Sequence, residues 1–387
     1  MKTTIVAGVM SGTSADGIDV ALVRISPGKQ KPRLKLLAHH AVSYPRALRQ
    51  AVLAAMNAGR TSTAELARLN WRLGMAYAEA VHAAAEKYRV KVDLVGCHGQ
   101  TVYHQAKPET YAGRRVACTW QLGEPALIAT ELRVPVVSNF RPADMAVGGQ
   151  GAPLVPMLDY VLFADTRRTR VLQNVGGIGN LTAIPAGGES SDLIAFDTGP
   201  GNMVIDALMD RFFKKKYDRD GRVATRGQVL EDVIKGILRQ PYFSARPPKS
   251  AGREQFGAAF VTEFSNACKK AGGKPEDAVA TATALTADSI ALAFEKFVKP
   301  LSQRGAVDYV VSGGGSRNAT LMKMLRASLE PLGCKVMVSD KLGVPSQAKE
   351  AVAFALLAWQ TWHKLPGNIP AATGAKKAAV LGEICYG

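Results

Sequence analysis

Acidic side chains, paired cysteines and long apolar runs are all scarce in this sequence, and each shortage removes a class of protein. No stretch reaches the ~18 uncharged apolar residues that a membrane span needs. Lys2 and the apolar run Ile5–Met10 resemble a signal peptide only weakly. The run is short, breaks at Ser11-Gly12, and no small-x-small cleavage site follows at the usual distance. A buried first strand is the better reading. The five cysteines (Cys97, Cys118, Cys268, Cys334, Cys385) are odd in number, scattered and never in a Cys-x-x-Cys pair. That argues against a disulfide framework or a zinc site, and small buried thiols in a cytoplasmic protein are the expectation. Several nucleotide and catalytic signatures are missing too. Gly28-Lys29 and Gly273-Lys274 lack the rest of a P-loop, and Gly313-x-Gly315 ends in Asn318 where a dinucleotide fingerprint needs glycine. There is no protein-kinase set, His-Glu-x-x-His or Gly-x-Ser-x-Gly.

What is present describes a globular chain. Hydrophobic residues make up 47% and charged residues 21%, enough apolar surface for a core, and 387 residues predict two or three domains of roughly 100–200 residues each. Lys and Arg number 49 against 32 Asp and Glu, a formal charge of +17. That excess invites a polyanion partner. The basic residues are not organised for nucleic acid, however. Lys214-Lys215-Lys216 falls at a predicted helix end, Arg167-Arg168-x-Arg170 at a suspected domain junction, and no nucleic-acid-binding motif accompanies them. Neither a nucleic acid nor a membrane is expected as partner.

Apolar patterning predicts strands alternating with helices, hence an α/β fold. Strands are expected at Ile5–Val9, Ile18–Ile25, Val92–Cys97, Val134–Ser138, Arg170–Val175, Asn180–Ile184, Leu193–Asp197, Val307–Ser312 and Lys335–Ser339. The clearest helix is Ala64–Tyr88, where Leu66, Leu69, Leu73, Tyr77 and Val81 fall on one face. Others are expected at Ala126–Leu132, Pro153–Phe163, Asn202–Phe213, Gln228–Arg239, Ala258–Lys270, Pro275–Phe297, Asn318–Leu332 and Gln347–His363, with an irregular tail from Pro366 to Gly387. A charged stretch near Ala164–Arg170 marks a domain boundary.

Three glycine-rich turns each follow an apolar strand. They are Met10-Ser11-Gly12-Thr13-Ser14-Ala15-Asp16-Gly17-Ile18-Asp19, Asn174-Val175-Gly176-Gly177-Ile178-Gly179-Asn180, and Ser312-Gly313-Gly314-Gly315-Ser316-Arg317-Asn318. Glycines let backbone N–H groups approach a phosphate closely, and a helix start adds a favourable dipole. One such turn alone reads as a tight turn; three make nucleotide binding the better reading. Asp16 offers a hard oxygen to Mg2+ or its waters.

Phe196-Asp197-Thr198-Gly199-Pro200-Gly201-Asn202 is the sharpest single motif. An apolar strand delivers Asp197 at its end, placed to act as a general base or to touch a metal, and Asn202 is a helix N-cap candidate. His98-Gly99-Gln100-Thr101 reads as a turn after a strand, and Asn139-Phe140-Arg141-Pro142-Ala143-Asp144 as another. Together their amide, hydroxyl, guanidinium and carboxylate groups suit a sugar, although His98 taken alone reads as a structural histidine. Arg141 could pair with a substrate carboxylate. Glu350, at the start of the last long helix, could reach a cleft.

At these residues the sequence resembles the anhydro-N-acetylmuramic acid kinases of the sugar kinase/Hsp70/actin superfamily. The likeness spans almost the whole chain. Besides the turns above it takes in Gly148-Gly149-Gln150-Gly151-Ala152-Pro153-Leu154-Val155-Pro156, Pro248-Lys249-Ser250-x-Gly252-Arg253-Glu254 and Leu365-Pro366-Gly367-Asn368. The resemblance implies two actin-like (ribonuclease H-like) domains around a nucleotide cleft, residues 1–165 with 346–387 and residues 166–345. It implies that Gly12–Asp19 and Gly176–Asn180 hold the phosphates of ATP while Gly313–Asn318 lies near the adenosine. It implies further that Asp197 activates the water that opens an anhydro-sugar at C1, that O6 takes the γ-phosphate, that Mg2+ assists, and that the protein is a homodimer. The chain departs from the usual family pattern at Ala15, Glu124, Asn139 and Pro142. The closely related levoglucosan kinases do the same chemistry on a bare anhydro-glucose.

Overall fold

The computed structural model describes residues 2–12, 14–29, 31–302, 305–338, 345 and 347–387. The chain divides into two compact units, Met1–Leu162 with Gln347–Gly387, and Phe163–Ser346.

The first unit carries strands β1 (Thr4–Ser11), β2 (Gly17–Ser26), β3 (Arg33–Ser43), β4 (Leu94–Tyr111), β5 (Arg114–Leu122), β6 (Val136–Ser138) and β12 (Glu383–Cys385). Its helices are α1 (Arg46–Ala55), α2 (Thr63–Tyr88), α3 (Pro125–Leu132), α4 (Phe140–Ala146), α5 (Pro156–Phe163), α13 (Lys349–Trp362) and α14 (Pro370–Thr373). The sheet runs β12-β6-β4-β1-β2-β3, with β5 paired to β4. β1, β2 and β3 are antiparallel neighbours, and β4 and β6 lie parallel to β1. Alternation along β1 sends Ala7 and Val9 into the core that includes α2. Gly8 points to the other face, where a Cβ would lie 1.8 Å from the carbonyl oxygen of Ala351. A Cβ on Gly96 of β4 would lie 2.3 Å from that of Phe354. Helix α13 therefore seats its buried alanines directly on the sheet, an approach that only glycine allows there.

The second unit carries β7 (Arg168–Val175), β8 (Ile178–Ile184), β9 (Ile194–Pro200), β10 (Ala306–Ser312) and β11 (Cys334–Val338). Its helices are α6 (Asn202–Phe213), α7 (Glu231–Leu238), α8 (Pro241–Ser244), α9 (Arg253–Phe256), α10 (Ala258–Lys270), α11 (Pro275–Ala293) and α12 (Ala319–Leu329). The sheet order is β11-β10-β7-β8-β9. With β5 and β12 set aside, the strands of each unit, counted in chain order, stand 3-2-1-4-5, with three antiparallel strands followed by two parallel ones. The ribonuclease H-like order thus occurs twice in a chain whose halves show no sequence repeat.

Helix α11 explains how a small-residue segment can be a core. Thr281, Thr283 and Thr286 are fully buried, and their hydroxyls donate to the carbonyls of Asp277, Val279 and Ala282 one turn back. The stretch Pro275–Leu301 is long and apolar enough to cross a membrane by composition, and 78% of its apolar window is buried in the fold. The α-helix ends at Ala293 and a π-turn covers Phe294–Val298, where the sequence predicts a helix to Phe297.

Other expectations are corrected. β3 and β5 were not anticipated, nor were α1 and α4. The helix expected from Pro153 starts at Pro156. Ser339 of the strand expected at Lys335–Ser339 lies outside the described residues. The tail is not wholly irregular, because it contributes α14 and the edge strand β12.

Candidate active site

In the second unit, β7 delivers Asn174 and Val175 into the turn that leads to β8. The first amides of α6 close over that turn. Gly201 N–H donates to Gly177 O at 2.9 Å, Asn202 N–H to Gly176 O at 2.8 Å and Met203 N–H to Gly177 O at 3.0 Å. Asn202 is the first helical residue and Gly201 holds the N-cap position, contrary to expectation. The side-chain amide of Asn202 donates instead to Val175 O. The third glycine turn lies against the same strand end. A Cβ on Gly313 would lie 2.5 Å from Asn174 Oδ1, one on Gly315 2.5 Å from Val175 Cγ1, and Ser312 pairs in register with Asn174. Asn318 is buried and its Oδ1 accepts from Leu321 N–H, so its side chain is committed to capping α12.

Some glycines here have a packing reason and others have none. A Cβ on Gly201 would sit 2.4 Å from Gly176 O. On Gly176, Gly177 and Gly314 its nearest neighbours would be at 3.6, 3.5 and 3.5 Å, ordinary contact distances, and none of the three has a positive φ. Neither packing nor backbone conformation demands glycine at these positions, so the open space suits a ligand that approaches the backbone.

Asp197 lies within β9, not at its end, and pairs in register with the exposed Asn180. Thr198 is an extra residue in the strand, a bulge that re-aims its neighbours. Three groups fix Asp197. Its N–H donates to Lys249 O at 3.0 Å, Tyr242 Oη donates to its carbonyl at 2.7 Å, and Ala251 N–H donates to Oδ2 at 2.8 Å. Among the described residues, no protein donor reaches Oδ1. Burial raises the carboxyl pKa to about 6; the Ala251 amide opposes this, Glu254 adds to it and Lys249 opposes it. The result is a half-buried carboxylate that is ionised near neutrality and has one oxygen open, the state a general base needs.

Behind the turn sits Gln173, fully buried and not anticipated from the sequence. Its Nε2 donates to Asn174 O and Asn180 O, and its Oε1 accepts from Tyr309. The carbonyls of the turn are thereby held inward.

In the first unit, Gly12 and Asp16 stand in the β1–β2 turn, with Thr13 outside the described residues. A Cβ on Gly12 would meet nothing closer than Ser14 Oγ at 3.9 Å, whereas one on Gly17 would lie 2.2 Å from Val42 O. Ser14 is exposed and Ile18 buried. Ala15 is buried with φ +52°, and its carbonyl accepts from Arg49, which also pairs with Asp16 at 3.3 Å. Asp19 pairs with His39 at 2.8 Å.

His98-Gly99-Gln100-Thr101 is not a turn, because β4 runs through it with a bulge before Gln100 where Gly99 takes φ +78°. Gln100 is fully buried. Its Nε2 donates to Gly12 O, and its Oε1 accepts from Ser11, which also bonds Tyr44. It supports the first turn from behind, with both ends of its amide engaged by Gly12 and Ser11. Thr101 accepts from Gln121 at 3.3 Å. His98 is buried and uses both ring nitrogens, Nδ1 with Gly99 O and Nε2 with Arg141 Nε at 2.9 Å. Burial, and then Arg141, push its pKa well below the usual histidine value, so it orients Arg141 as a neutral ring. Arg141 also donates to Gly151 O; burial lowers its pKa to about 10, opposed by Glu350 and Asp144.

Asp144, expected beside the sugar, is likewise fully buried and is engaged within the framework. Oδ1 accepts from Asn368 and Thr373, and Oδ2 from Gly151 N–H. It ties the tail to the loop beside Arg141. Partial desolvation raises the Glu350 pKa, with Arg141 opposing and Asp19 adding to the effect, which puts these three groups in one electrostatic neighbourhood. Among the described residues, no three His, Cys, Asp or Glu side chains gather as a metal cage. Among the described residues, Asp16 and Asp19 are the carboxylates at the first turn, oxygen donors of the kind Mg2+ takes alongside phosphates.

A family model described as anhydro-N-acetylmuramic acid kinase matches residues 4–387. A Bacillus cereus protein named anhydro-N-acetylmuramic acid kinase is 43% identical over 384 residues, covering 98% of this chain and 99% of its own. One from Bacillus anthracis is 42% identical over the same shares. Among solved structures, a gluconate kinase from Lactobacillus acidophilus aligns over 98% of this chain and 94% of its own, at 9% identity and a TM-score of 0.47. The full-length sequence match places the chain in the anhydro-N-acetylmuramic acid kinase family.

Proposed function

We propose that the protein is an ATP-dependent kinase that opens the 1,6-anhydro ring of anhydro-N-acetylmuramic acid and phosphorylates O6. The products are N-acetylmuramic acid 6-phosphate and ADP, within cell-wall recycling in the cytoplasm. Asp197 Oδ1 takes a proton from water as the water oxygen bonds C1. The C1–O6 bond breaks, O6 bonds the γ-phosphorus, and the bond from that phosphorus to ADP breaks. Mg2+, held by the phosphates with Asp16 as the candidate protein ligand, would offset phosphate charge.

In this reading the unit of Met1–Leu162 and Gln347–Gly387 supplies the first phosphate turn, with Arg141 and Glu350 as the sugar-facing charges. The unit of Phe163–Ser346 supplies the second phosphate turn, Asp197 and the adenosine turn. The active form is a homodimer. The observation that carries the reading is Asp197, a carboxylate with one oxygen open and a pKa raised to about 6, paired in register with Asn180 of the glycine turn.

The test is product analysis with Mg-ATP in ¹⁸O-water, offering anhydro-N-acetylmuramic acid and levoglucosan side by side. The expected result is faster turnover of the muramic acid, with label at C1. Faster turnover of levoglucosan would reassign the substrate, and unlabelled C1 would reject water attack there.

A further inference from the structure

The segment Pro248–Glu254 belongs to the family likeness, yet the reaction above uses none of its side chains. We infer that Lys249 is a positioning residue whose ammonium, boxed by Phe196, Tyr242 and Phe297, anchors the strap that presents the Asp197 carboxylate. This rests on the reading of Asp197 as the base.

The geometry is specific. Lys249 Nζ stands 4.7 Å from the Tyr242 ring centroid, 5.2 Å from that of Phe297 and 5.7 Å from that of Phe196, and donates to Tyr242 O at 3.0 Å. Three aromatic faces around one cation hold it more firmly than a solvated ion pair would. The same residue's carbonyl accepts from Asp197 N–H, and two residues on, Ala251 N–H binds Asp197 Oδ2. Tyr242, a wall of the box, donates its hydroxyl to the Asp197 carbonyl. Phe297 reaches the box from the π-turn that follows α11, and meets Phe196 edge-on at 5.6 Å. A π-turn in a long helix costs regular hydrogen bonding and recurs where a side chain has a functional direction.

Charge supports the same assignment. Beside burial and the Ala251 amide, the charged groups acting on the Asp197 carboxylate are Glu254, which opposes its ionised form, and Lys249, which favours it. Lys249 is itself lowered to about 8, by burial and then by Lys296, with Asp197 opposing. Removing the cation therefore makes Asp197 harder to ionise.

Lys249→Met keeps an unbranched side chain one atom shorter and removes its charge; Lys249→Arg keeps the charge. Steady-state kinetics for both substrates over pH, ADP binding by calorimetry and the Asp197 carboxyl titration by NMR read the outcome. For Lys249→Met we expect kcat to fall ~10- to 100-fold. We also expect ADP affinity within about twofold of the parent, and an acid limb of kcat/KM displaced to higher pH. Lys249→Arg returns the limb towards its original position. Phe297→Leu, which leaves both charges, lowers kcat with the limb in place. Unchanged kcat and limb in Lys249→Met would overturn the assignment, as would ADP affinity falling in step with kcat. If Lys249→Met does not fold, unchanged kcat in Phe297→Leu overturns it. If the parent chain turned over no anhydro-sugar, the kinase reading would fail instead. The Asp197 titration must still move upward in Lys249→Met for the positioning role to stand.

Discussion

Replacing Gly176 by alanine separates nucleotide recognition from folding. The added Cβ would meet Asn174 Nδ2 at 3.6 Å and Ile178 O at 3.7 Å, so the folded chain accommodates it without moving. Because φ at Gly176 is not positive, the methyl group adds no backbone strain. Restricting the unfolded chain should leave stability unchanged or raise it by ~0.4–1 kcal/mol. A phosphate oxygen bound to a backbone amide lies about 2.9 Å from the nitrogen, inside the reach of a methyl on the same residue. Affinity for ATP should then fall at least tenfold, ~1.4 kcal/mol. Gly201→Ala is the contrast. Its Cβ would lie 2.4 Å from Gly176 O and 3.1 Å from Gly177 O, both backbone atoms, so it should cost ~1–3 kcal/mol of stability as well as affinity. Urea unfolding and calorimetry with a non-hydrolysable ATP analogue measure the two quantities. Parent-like affinity in a folded Gly176→Ala protein would refute the assignment of this turn to phosphate.

Asp197→Asn should end turnover and change the pH dependence of stability. The folded pKa of about 6 lies above the ~3.9 of an unfolded aspartate, so this group's contribution to stability is full below about pH 4 and lost as pH rises through 6. The asparagine protein should gain on its parent in urea midpoint between pH 4 and 7.5, and a constant difference would contradict the raised pKa. Asp144→Asn turns an acceptor of three hydrogen bonds into a group that faces a donor with a donor, at a cost of ~1–3 kcal/mol, read as a lower melting temperature. Gln173→Leu leaves the Asn174 and Asn180 carbonyls without their side-chain donor. KM for ATP should rise more than KM for the sugar, and equal rises would mean that Gln173 supports the unit generally.

Local features of the chain were legible in the sequence. Glycine clusters after apolar runs marked three turns, because strand pleating and backbone freedom are properties of a few adjacent residues. The Asp197 motif was legible for the same reason. Bonds between residues far apart in sequence were not. Asp144 and Gln100 stand in motifs that suit a sugar, yet Asp144 is taken by Asn368 and Thr373, 224 and 229 positions away, and Gln100 by Ser11 and Gly12. Both polar side chains satisfy buried backbone or side-chain partners that no local pattern reveals. Gly99 and its polar neighbours resemble a turn because a bulge uses the same residues. β3 and β5 escaped notice because charged residues interrupt them, as an edge strand and a solvent-facing hairpin allow. Lys249 lies within the Pro248–Glu254 motif, but only the three rings around it show its use.

The seating of α13 on Gly8 and Gly96 has a consequence for how the protein is made. The second unit is one continuous segment, Phe163–Ser346, and can fold as soon as it leaves the ribosome. The first cannot, because the helix that covers one face of its sheet lies at Lys349–Trp362. At ~5–20 residues per second, the apolar face of β1 and β4 waits roughly 10–40 s for that cover while the intervening unit is synthesised. The part translated first is thus completed last. During that interval the nascent chain offers an open sheet, and it is at this stage that a holding chaperone would matter most.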